Sequence, residues 1–440
     1  MASAADSILQ AAWKSYANGK FSEALNGSIV AAQQANNPRY ALHLACRCLL
    51  EDGRYNDVLA FMEQIHSEKN HAANVLLGAL NAYLLDGRYD LLHRIFESLP
   101  ETHMAGMLAL YHSACAHIGQ GDLSAGLAKA ITFRDRMRAF WQLIPFVEDD
   151  ALNVVYRQTG NIGTHGEVVA RIEAARKPVA AIHSMEWQTE VPDEIDEPVV
   201  HFACADTGYL RGFAKHLIGS LNDVGVPVRL HLNVMRPDAT IVEELQEIAS
   251  DRPNLVLDVS TSQTRNTEPS LYACGRFFML PELLKRYRVP IVTVDADSFV
   301  TPVVQRLAEM PRSFDIGFFQ TKAITPASMF DCAVFVTCPT PGAEEFLNVF
   351  LAYVDPMLDG RQRLTWLADQ STIFTLWVYY NVEGPMPGKQ EVRMVDLRQI
   401  SGCSDLYDIV PNAVPEEEKD SIKVTNSVSA FFEREGDRSQ

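Results

Sequence analysis

The chain has 440 residues, which allows two or three domains, and its apolar share of 47% is enough for a sizeable core. Its formal net charge of -18 argues against nucleic acid and against an anionic membrane surface as partners, because both are bound through clustered Lys and Arg. A negative charge of this kind otherwise favours solubility and indicates no particular function.

The cysteine pattern indicates the compartment. Eight cysteines are present without a C-x-x-C pair, and most of them lie in apolar segments, as free thiols do in a reducing compartment. The sequence shows no signal peptide and no run of about 18 apolar residues that would span a bilayer. We therefore expect a cytoplasmic protein without a transmembrane segment.

An internal repeat occupies the first third of the chain. Gly19, Gly53, Gly87 and Gly121 lie in four phrases of similar sequence, and each glycine is 34 residues from the next. Each follows an apolar run that is typical of a helix, and glycine ends a helix readily because it adopts a positive φ without strain. The aromatic residue or leucine two positions later is expected to begin a second helix that packs on the first.

This period resembles that of tetratricopeptide repeats, over roughly residues 5–140. The resemblance implies a superhelical stack of helix pairs whose concave surface binds a protein or peptide partner. Two alternatives stay open, in which the stack braces a second domain or forms a homo-oligomer. Helices predicted at 151–158 and 167–176 extend this all-α domain to residue 185, and the acidic, proline-bracketed stretch 186–198 is predicted to be a linker.

From residue 199 onward, short apolar strands alternate with amphipathic helices. This alternation predicts an α/β domain over residues 199–440, with a mostly parallel sheet and a polar, acidic C-terminal tail. The ligand of such a sheet is expected at the C-terminal ends of its strands. Strands are predicted at 199–203, 228–234, 255–259, 291–294, 316–319 and 333–336, and helices at 210–224, 240–249, 271–286 and 343–358.

Asp295 and Asp297 follow the strand 291–294, whose four β-branched and mostly apolar residues indicate complete burial. Two carboxylates this close are favoured when a cation lies beside them, and a hard divalent ion such as Mn²⁺ or Mg²⁺ suits oxygen ligands. The alternative is a polar strand end in which Asp297 caps the next segment. The motif alone leaves both interpretations open.

Several stretches in the same order resemble glycosyltransferases of family eight, over roughly residues 198–400. They lie at 202–209, 272–277, 291–297, 329–334 and 366–370. The resemblance implies a Rossmann-like GT-A fold, a nucleotide-sugar donor that is typically a UDP-sugar, and a divalent metal. It further implies that the nucleotide contacts Ala203, Asp206 and Tyr209, the donor contacts Arg276, the metal binds Asp295 and Asp297, and the reacting sugar contacts Asp369 and Gln370.

Each of these residues also has an ordinary structural explanation. Asp206 and Asp369 are suited to capping helices, and Arg276 to pairing with a neighbouring acid such as Glu282. The family also usually takes a third metal ligand from a C-terminal His-Phe-x-Gly motif, whereas no histidine follows His231 in this sequence. The third ligand then comes from elsewhere, the metal is held more weakly, or the enzyme belongs to a neighbouring family.

The resemblance thus implies transfer of a sugar from a nucleotide-diphosphate donor to an acceptor hydroxyl, and the repeats add the hypothesis that the acceptor is a protein docked on them. Phosphatases of the haloacid dehalogenase type also place Asp-x-Asp after a buried strand, but there the motif usually opens the domain. A second alternative is a non-catalytic scaffold, in which a repeat array is joined to a degenerate transferase domain.

Overall fold

The computed structural model describes residues 4–35, 37–66, 71–141, 152, 155–156, 159–174, 185–264, 269–298, 300, 313–321, 324–358, 367–384 and 388–399. The chain divides into two compact units. The first contains residues 1–164 together with 324–326, and the second contains residues 165–323 and 327–440. The predicted C-terminal tail and much of the helix predicted at 151–158 lie outside the described residues.

The described part of the first unit is helical. Each odd-numbered helix packs against the helix that follows it and against the next odd-numbered helix, so that helix pairs stack in chain order. The helices are α1 (Ala4–Ala17), α2 (Phe21–Gln34), α3 (Arg39–Glu51), α4 (Tyr55–His66), α5 (His71–Leu85), α6 (Tyr89–Ser98), α7 (Met104–Gly119) and α8 (Leu123–Trp141).

The turn inside each pair is the same in all four repeats. Gly53 has a φ of 68°, its N–H donates to the carbonyl of Leu50, and the N–H of Arg54 donates to the carbonyl of Leu49. These two bonds define the Schellman motif, which requires a left-handed residue at the glycine position. The equivalent glycines are Gly19 with φ 72°, Gly87 with φ 68° and Gly121 with φ 84°.

An eight-stranded sheet, counted over the described residues, organises the second unit. Its strand order is β1-β4-β3-β2-β5-β7-β6-β8. The strands are β1 (Glu186–Trp187), β2 (Val200–Asp206), β3 (Val228–Met235), β4 (Leu255–Ser262), β5 (Ile291–Val294), β6 (Ile316–Gln320), β7 (Phe330–Thr337) and β8 (Met394–Asp396).

The sheet is mostly parallel, as predicted. The four central strands β4, β3, β2 and β5 run parallel, and β8 runs parallel to β6, whereas β1 and β7 run antiparallel to their neighbours. All four residues of β5 are buried, which confirms the prediction for that strand. The α/β architecture of this part of the chain is therefore confirmed.

Helices connect and cover these strands. The long helix α12 packs against β2 and β5 and against two further helices, α13 and α14. None of the described helices combines the length and the hydropathy that crossing a membrane requires. The helices are α9 (His165–Ala174), α10 (Thr207–Asn222), α11 (Ile241–Ser250), α12 (Pro269–Tyr287), α13 (Pro341–Leu358) and α14 (Ala368–Val378), which continues into a π-helical turn (Tyr379–Glu383).

Candidate active site

The C-terminal ends of β2 and β5 bring three of the predicted residues together. Asp206 ends β2 and caps α10, because its Oδ1 accepts a hydrogen bond from the N–H of Tyr209 at 2.7 Å. The first turn of α10 then directs the Tyr209 hydroxyl toward β5, where it donates to Oδ2 of Asp297 at 2.8 Å. Asp206 is thus a helix cap, and the helix it caps holds a tyrosine on one carboxylate of the Asp-x-Asp motif.

The backbone of the Asp-x-Asp motif is fixed by its neighbours. The N–H of Asp295 donates to the carbonyl of Ala333 in β7 at 2.9 Å, and the N–H of Ser298 donates back to the carbonyl of Asp295 at 3.0 Å. The two carboxylates on this tight turn differ in their exposure to solvent. The side chain of Asp295 is 39% exposed, whereas Asp297 is buried.

Arg276, on α12, joins four elements of the site. Its Nη1 donates to Oδ1 of Asp295 at 2.6 Å and to the carbonyl of Cys332 at 2.7 Å, and its Nη2 donates to Oδ2 of Asp369 at 3.1 Å. Its Nε donates to the carbonyl of Ala273 at 2.9 Å. A guanidinium has five N–H donors, so the bonds to the described residues leave one of them, on Nη2, unused. The predicted pairing with Glu282 is not among these bonds.

Asp369 and Gln370 lie in the first turn of α14. The residue before this helix, Leu367, has a φ of 71°, a left-handed conformation that is unfavourable for a side chain with a Cβ. Asp369 is buried against Arg276, and Gln370 is half-buried. Strain of this kind leaves no trace in the residue types, and the sequence did not predict it.

Ala203 is placed apart from this cluster. It is fully buried inside β2, in the apolar core on the sheet, three residues before the strand ends. Its methyl group therefore packs in the core, and the residue exposes no surface to a ligand in this structure. Trp366, which belongs to the same predicted stretch as Asp369, lies outside the described residues.

Among the described residues, the site carries more negative than positive charge. Burial raises the pKa of Asp295, the nearby carboxylates of Asp297 and Asp369 add to the rise, and Arg276 opposes it. Water reaches the 39% of this side chain that is exposed, which limits the effect of burial. Burial also raises the pKa of Tyr209, as do the carboxylates around it, with Asp297 contributing most. One guanidinium thus faces several carboxylates.

This charge imbalance and the oxygen donors fit a hard divalent cation. Asp295 uses one of its two oxygens for Arg276, and its exposed side chain leaves the other within reach of an ion. Across the described ranges, no three or more His, Cys, Asp or Glu side chains are grouped so as to hold a metal ion. The described protein ligands of a cation at this motif would therefore be fewer than three.

Comparisons with known proteins do not assign a family. No protein-family model matches the chain, and none of the curated proteins matches it. The solved structures that resemble it include three glycosyltransferases, each at low identity and low TM-score. The bifunctional glycosyltransferase WbbM is 14% identical with a TM-score of 0.33, over 53% of each chain.

The second is GlyE of Streptococcus pneumoniae TIGR4, which is 14% identical with a TM-score of 0.30, over 40% of this chain and 43% of that one. The third is the galactosyltransferase LgtC in complex with donor and acceptor sugar analogs, which is 16% identical with a TM-score of 0.29, over 49% of this chain and 84% of that one. The chain thus spans about half the length of WbbM and less than half that of GlyE.

Proposed function

We propose that the second unit transfers a sugar from a nucleotide-diphosphate donor, expected to be a UDP-sugar, to an acceptor hydroxyl. The observation that carries this proposal is the cluster at the C-terminal ends of β2 and β5. There Asp295 and Asp369 share the guanidinium of Arg276, and Asp297 accepts from Tyr209. Such a cluster suits a ligand that combines a cation with a charged leaving group.

Asp295 and Asp297 would hold the cation, which is expected to be Mn²⁺ or Mg²⁺. When bound, a divalent ion supplies Lewis-acid stabilisation of the charge that develops on a departing diphosphate. The Tyr209 hydroxyl orients the Asp297 carboxylate for this task, and Arg276 orients that of Asp295. The two ligands are therefore held in place before the donor arrives, which favours binding.

The remaining residues would contact the donor. The ring of Tyr209 offers a face to the base, and the second oxygen of Asp206 can accept a hydrogen bond from the base or ribose. Arg276 would direct its remaining N–H at donor oxygens as a charge-assisted bond. Asp369, held by Arg276, and the half-buried Gln370 would orient the sugar or the acceptor.

For the first unit we propose a tetratricopeptide-like domain that docks the acceptor protein. The support is the Schellman turn repeated at a spacing of 34 residues and the stacking of helix pairs. Tyr40 on α3 and Leu85 on α5 are large apolar side chains that are 68% and 86% exposed. Replacing either by Ala should impair transfer to a protein acceptor and spare donor hydrolysis, whereas Ile29→Ala on α2 should change neither.

Binding of nucleotide sugars tests the transferase proposal. Thermal unfolding of the whole chain is measured with a panel of nucleotide sugars, each with and without Mn²⁺, for the wild type and for Asp295→Asn. We expect one donor to raise the Tm in a Mn²⁺-dependent way, and Asp295→Asn to abolish the rise. Asp251→Asn, which changes an exposed aspartate of the same unit, should keep it.

The non-catalytic scaffold is the second candidate, favoured by the lack of any histidine after His231. Many transferases slowly use water as an acceptor, so hydrolysis of the donor separates the two functions. A wild-type chain that neither binds nor hydrolyses any nucleotide sugar in the presence of Mn²⁺ would support the scaffold and contradict the transferase.

A further inference from the structure

A continuous chain of buried hydrogen bonds joins Tyr287, at the end of α12, to side chains of the strands β3 and β4. His231 pairs with Asp258 in the register of these parallel strands, and Asn233 pairs with Ser260, so that all four side chains share one face of the sheet. All four are buried. Buried polar side chains are costly unless they are hydrogen-bonded, and these satisfy one another.

The geometry fixes the direction of these bonds. The hydroxyl of Tyr287, the last residue of α12, donates to Oδ2 of Asp258 at 2.7 Å, so its oxygen accepts from Nδ1 of His231 at 2.8 Å. Nε2 of His231 then carries no proton and accepts from the hydroxyl of Ser260 at 2.7 Å. His231 is therefore assigned as the neutral Nδ1–H tautomer, and burial lowers its pKa to about 3.

The chain continues toward the C-terminal ends of the strands. The side-chain amide of Asn233 donates to Oγ of Ser260 at 2.8 Å, and its carbonyl accepts from the Ser262 hydroxyl at 2.8 Å. The thiol of Cys204 in β2 donates to the same carbonyl at 3.5 Å. The network thus reaches the strand that ends at the candidate site.

At the opposite end the network is anchored by charge. Arg229 donates through Nη1 to Oδ2 of Asp258 at 2.9 Å and through Nε to Glu197 at 3.0 Å. The Asp258 oxygen consequently accepts from both Arg229 and Tyr287, and charge-assisted bonds to a buried carboxylate are among the stronger ones in proteins.

Helix α12 meets this network at two points. Tyr287 joins it through hydrogen bonds. Gly275 lies in van der Waals reach of Cys204, where an added Cβ would be 3.5 Å from Sγ, and it packs tightly on Met235 at the end of β3, where the same Cβ would be 2.7 Å from Sδ. Gly275 directly precedes Arg276. The two contacts therefore restrict how α12 slides and turns on the sheet.

We propose that this buried network sets the position of α12 and thereby places the Arg276 guanidinium between Asp295 and Asp369. Tyr287, His231 and Asp258 are then positioning residues. Directional bonds to a buried carboxylate add a restraint of defined geometry to the apolar packing of the helix. The consequence for donor binding rests on the proposed function, but the position of α12 is measurable without a donor.

Hydrogen exchange followed by mass spectrometry tests this on the whole chain. Tyr287→Phe removes the donor to Asp258 and the acceptor of His231, and we expect exchange over residues 271–280 to rise about ten-fold. Tyr380→Phe is the matched control, because the Tyr380 hydroxyl is buried and has no hydrogen-bond partner in the described part of the chain. Unchanged exchange near Arg276 in folded Tyr287→Phe, or an equal rise in Tyr380→Phe, would overturn the proposal.

Two further measurements keep the test decisive if Tyr287→Phe does not fold. In the wild type, ¹⁵N NMR should show His231 as the neutral Nδ1–H tautomer with no titration near its ordinary pKa, and the opposite tautomer would overturn the proposal. His231→Gln should keep exchange over residues 271–280 close to that of the wild type, because its amide can donate to Tyr287 and accept from Ser260. His231→Met can make neither bond, so exchange over the same residues should rise. Equal exchange in these two variants counts against the proposal.

Titration with UDP and Mn²⁺ adds the functional readout. Mutating a residue that orients the ligands of a metal typically lowers the affinity of the site by about ten-fold or more. We therefore expect a loss of that size in UDP affinity for Tyr287→Phe and no loss for Tyr380→Phe. A wild type that binds no UDP refutes the proposed donor and leaves the exchange result to decide the role of the network.

Discussion

Removing the Arg276 side chain tests whether it holds the site together. In Arg276→Ala the carboxylate of Asp369, whose side chain is 5% exposed, is left without its guanidinium partner. Breaking a buried ion pair from one side costs about 3–5 kcal/mol, because a buried charge stays uncompensated. Asp295 adds little, since its side chain is 39% exposed and water solvates it. We therefore expect a loss of about 3–5 kcal/mol.

Urea denaturation followed by tryptophan fluorescence measures this loss. Because the chain has two compact units, the midpoints are fitted as two transitions where they separate. Arg276→Lys should recover part of the stability, since it keeps the charge and loses the planar fork.

The control is Arg211→Ala, which breaks ion pairs with Asp238 and Glu244 at the surface of the same unit. Exposed pairs contribute little, so this change should barely move the midpoint. If Arg276→Ala loses no more stability than Arg211→Ala, Arg276 does not hold Asp369 as inferred.

Three further predictions concern charge and backbone strain. The pKa of Asp295 is raised on folding, so the folded state binds its proton more tightly than the unfolded state does. As pH rises from the ordinary pKa of Asp through the raised one, the wild type should therefore lose stability relative to Asp295→Asn. Parallel curves of Tm against pH for the two proteins would contradict this. Gly87→Ala should destabilise by about 1–2 kcal/mol since its φ is 68°, whereas Gly219→Ala in α10, with open space around it, should not destabilise, as urea midpoints will report. Leu367→Asn should stabilise by about 1 kcal/mol in the same assay, because asparagine adopts a left-handed backbone more easily than leucine. A loss of stability would show that packing of the leucine side chain contributes more free energy than the strained backbone costs.

Local patterns predicted the elements but not their directions or polar contacts. The apolar run of β5 and the alternation of strands and helices predicted the α/β architecture, because the spacing of buried apolar residues along the sequence differs between strands and helices. The antiparallel direction of β7 leaves no such trace. The pattern predicts strand β4 at 255–259, whereas the strand continues to Ser262, because Ser260 and Ser262 find hydrogen-bond partners on β3.

The site was predictable only as far as its motifs are local. Asp295 and Asp297 stand out beside a buried strand, and Asp206 is recognisable as a helix cap. Arg276 bonds to Asp295, which is 19 positions further along the chain, and to Asp369, which is 93 positions further along. Such contacts depend on how α12 lies on the sheet, and no pattern within α12 reveals that.

The charge of the site also predicts that binding of the proposed cation and binding of the proposed donor depend on each other. A diphosphate that approached Asp295, Asp297 and Asp369 without a cation would be repelled, and Arg276 has one N–H that no described residue uses to oppose this. Cation and donor should therefore bind cooperatively, and linkage requires each to strengthen the other by the same factor. Calorimetric titration of Mn²⁺ with and without UDP, and of UDP with and without Mn²⁺, measures both factors. Equal factors well above one are expected, and independent binding would show that the carboxylates do not hold a cation against the diphosphate.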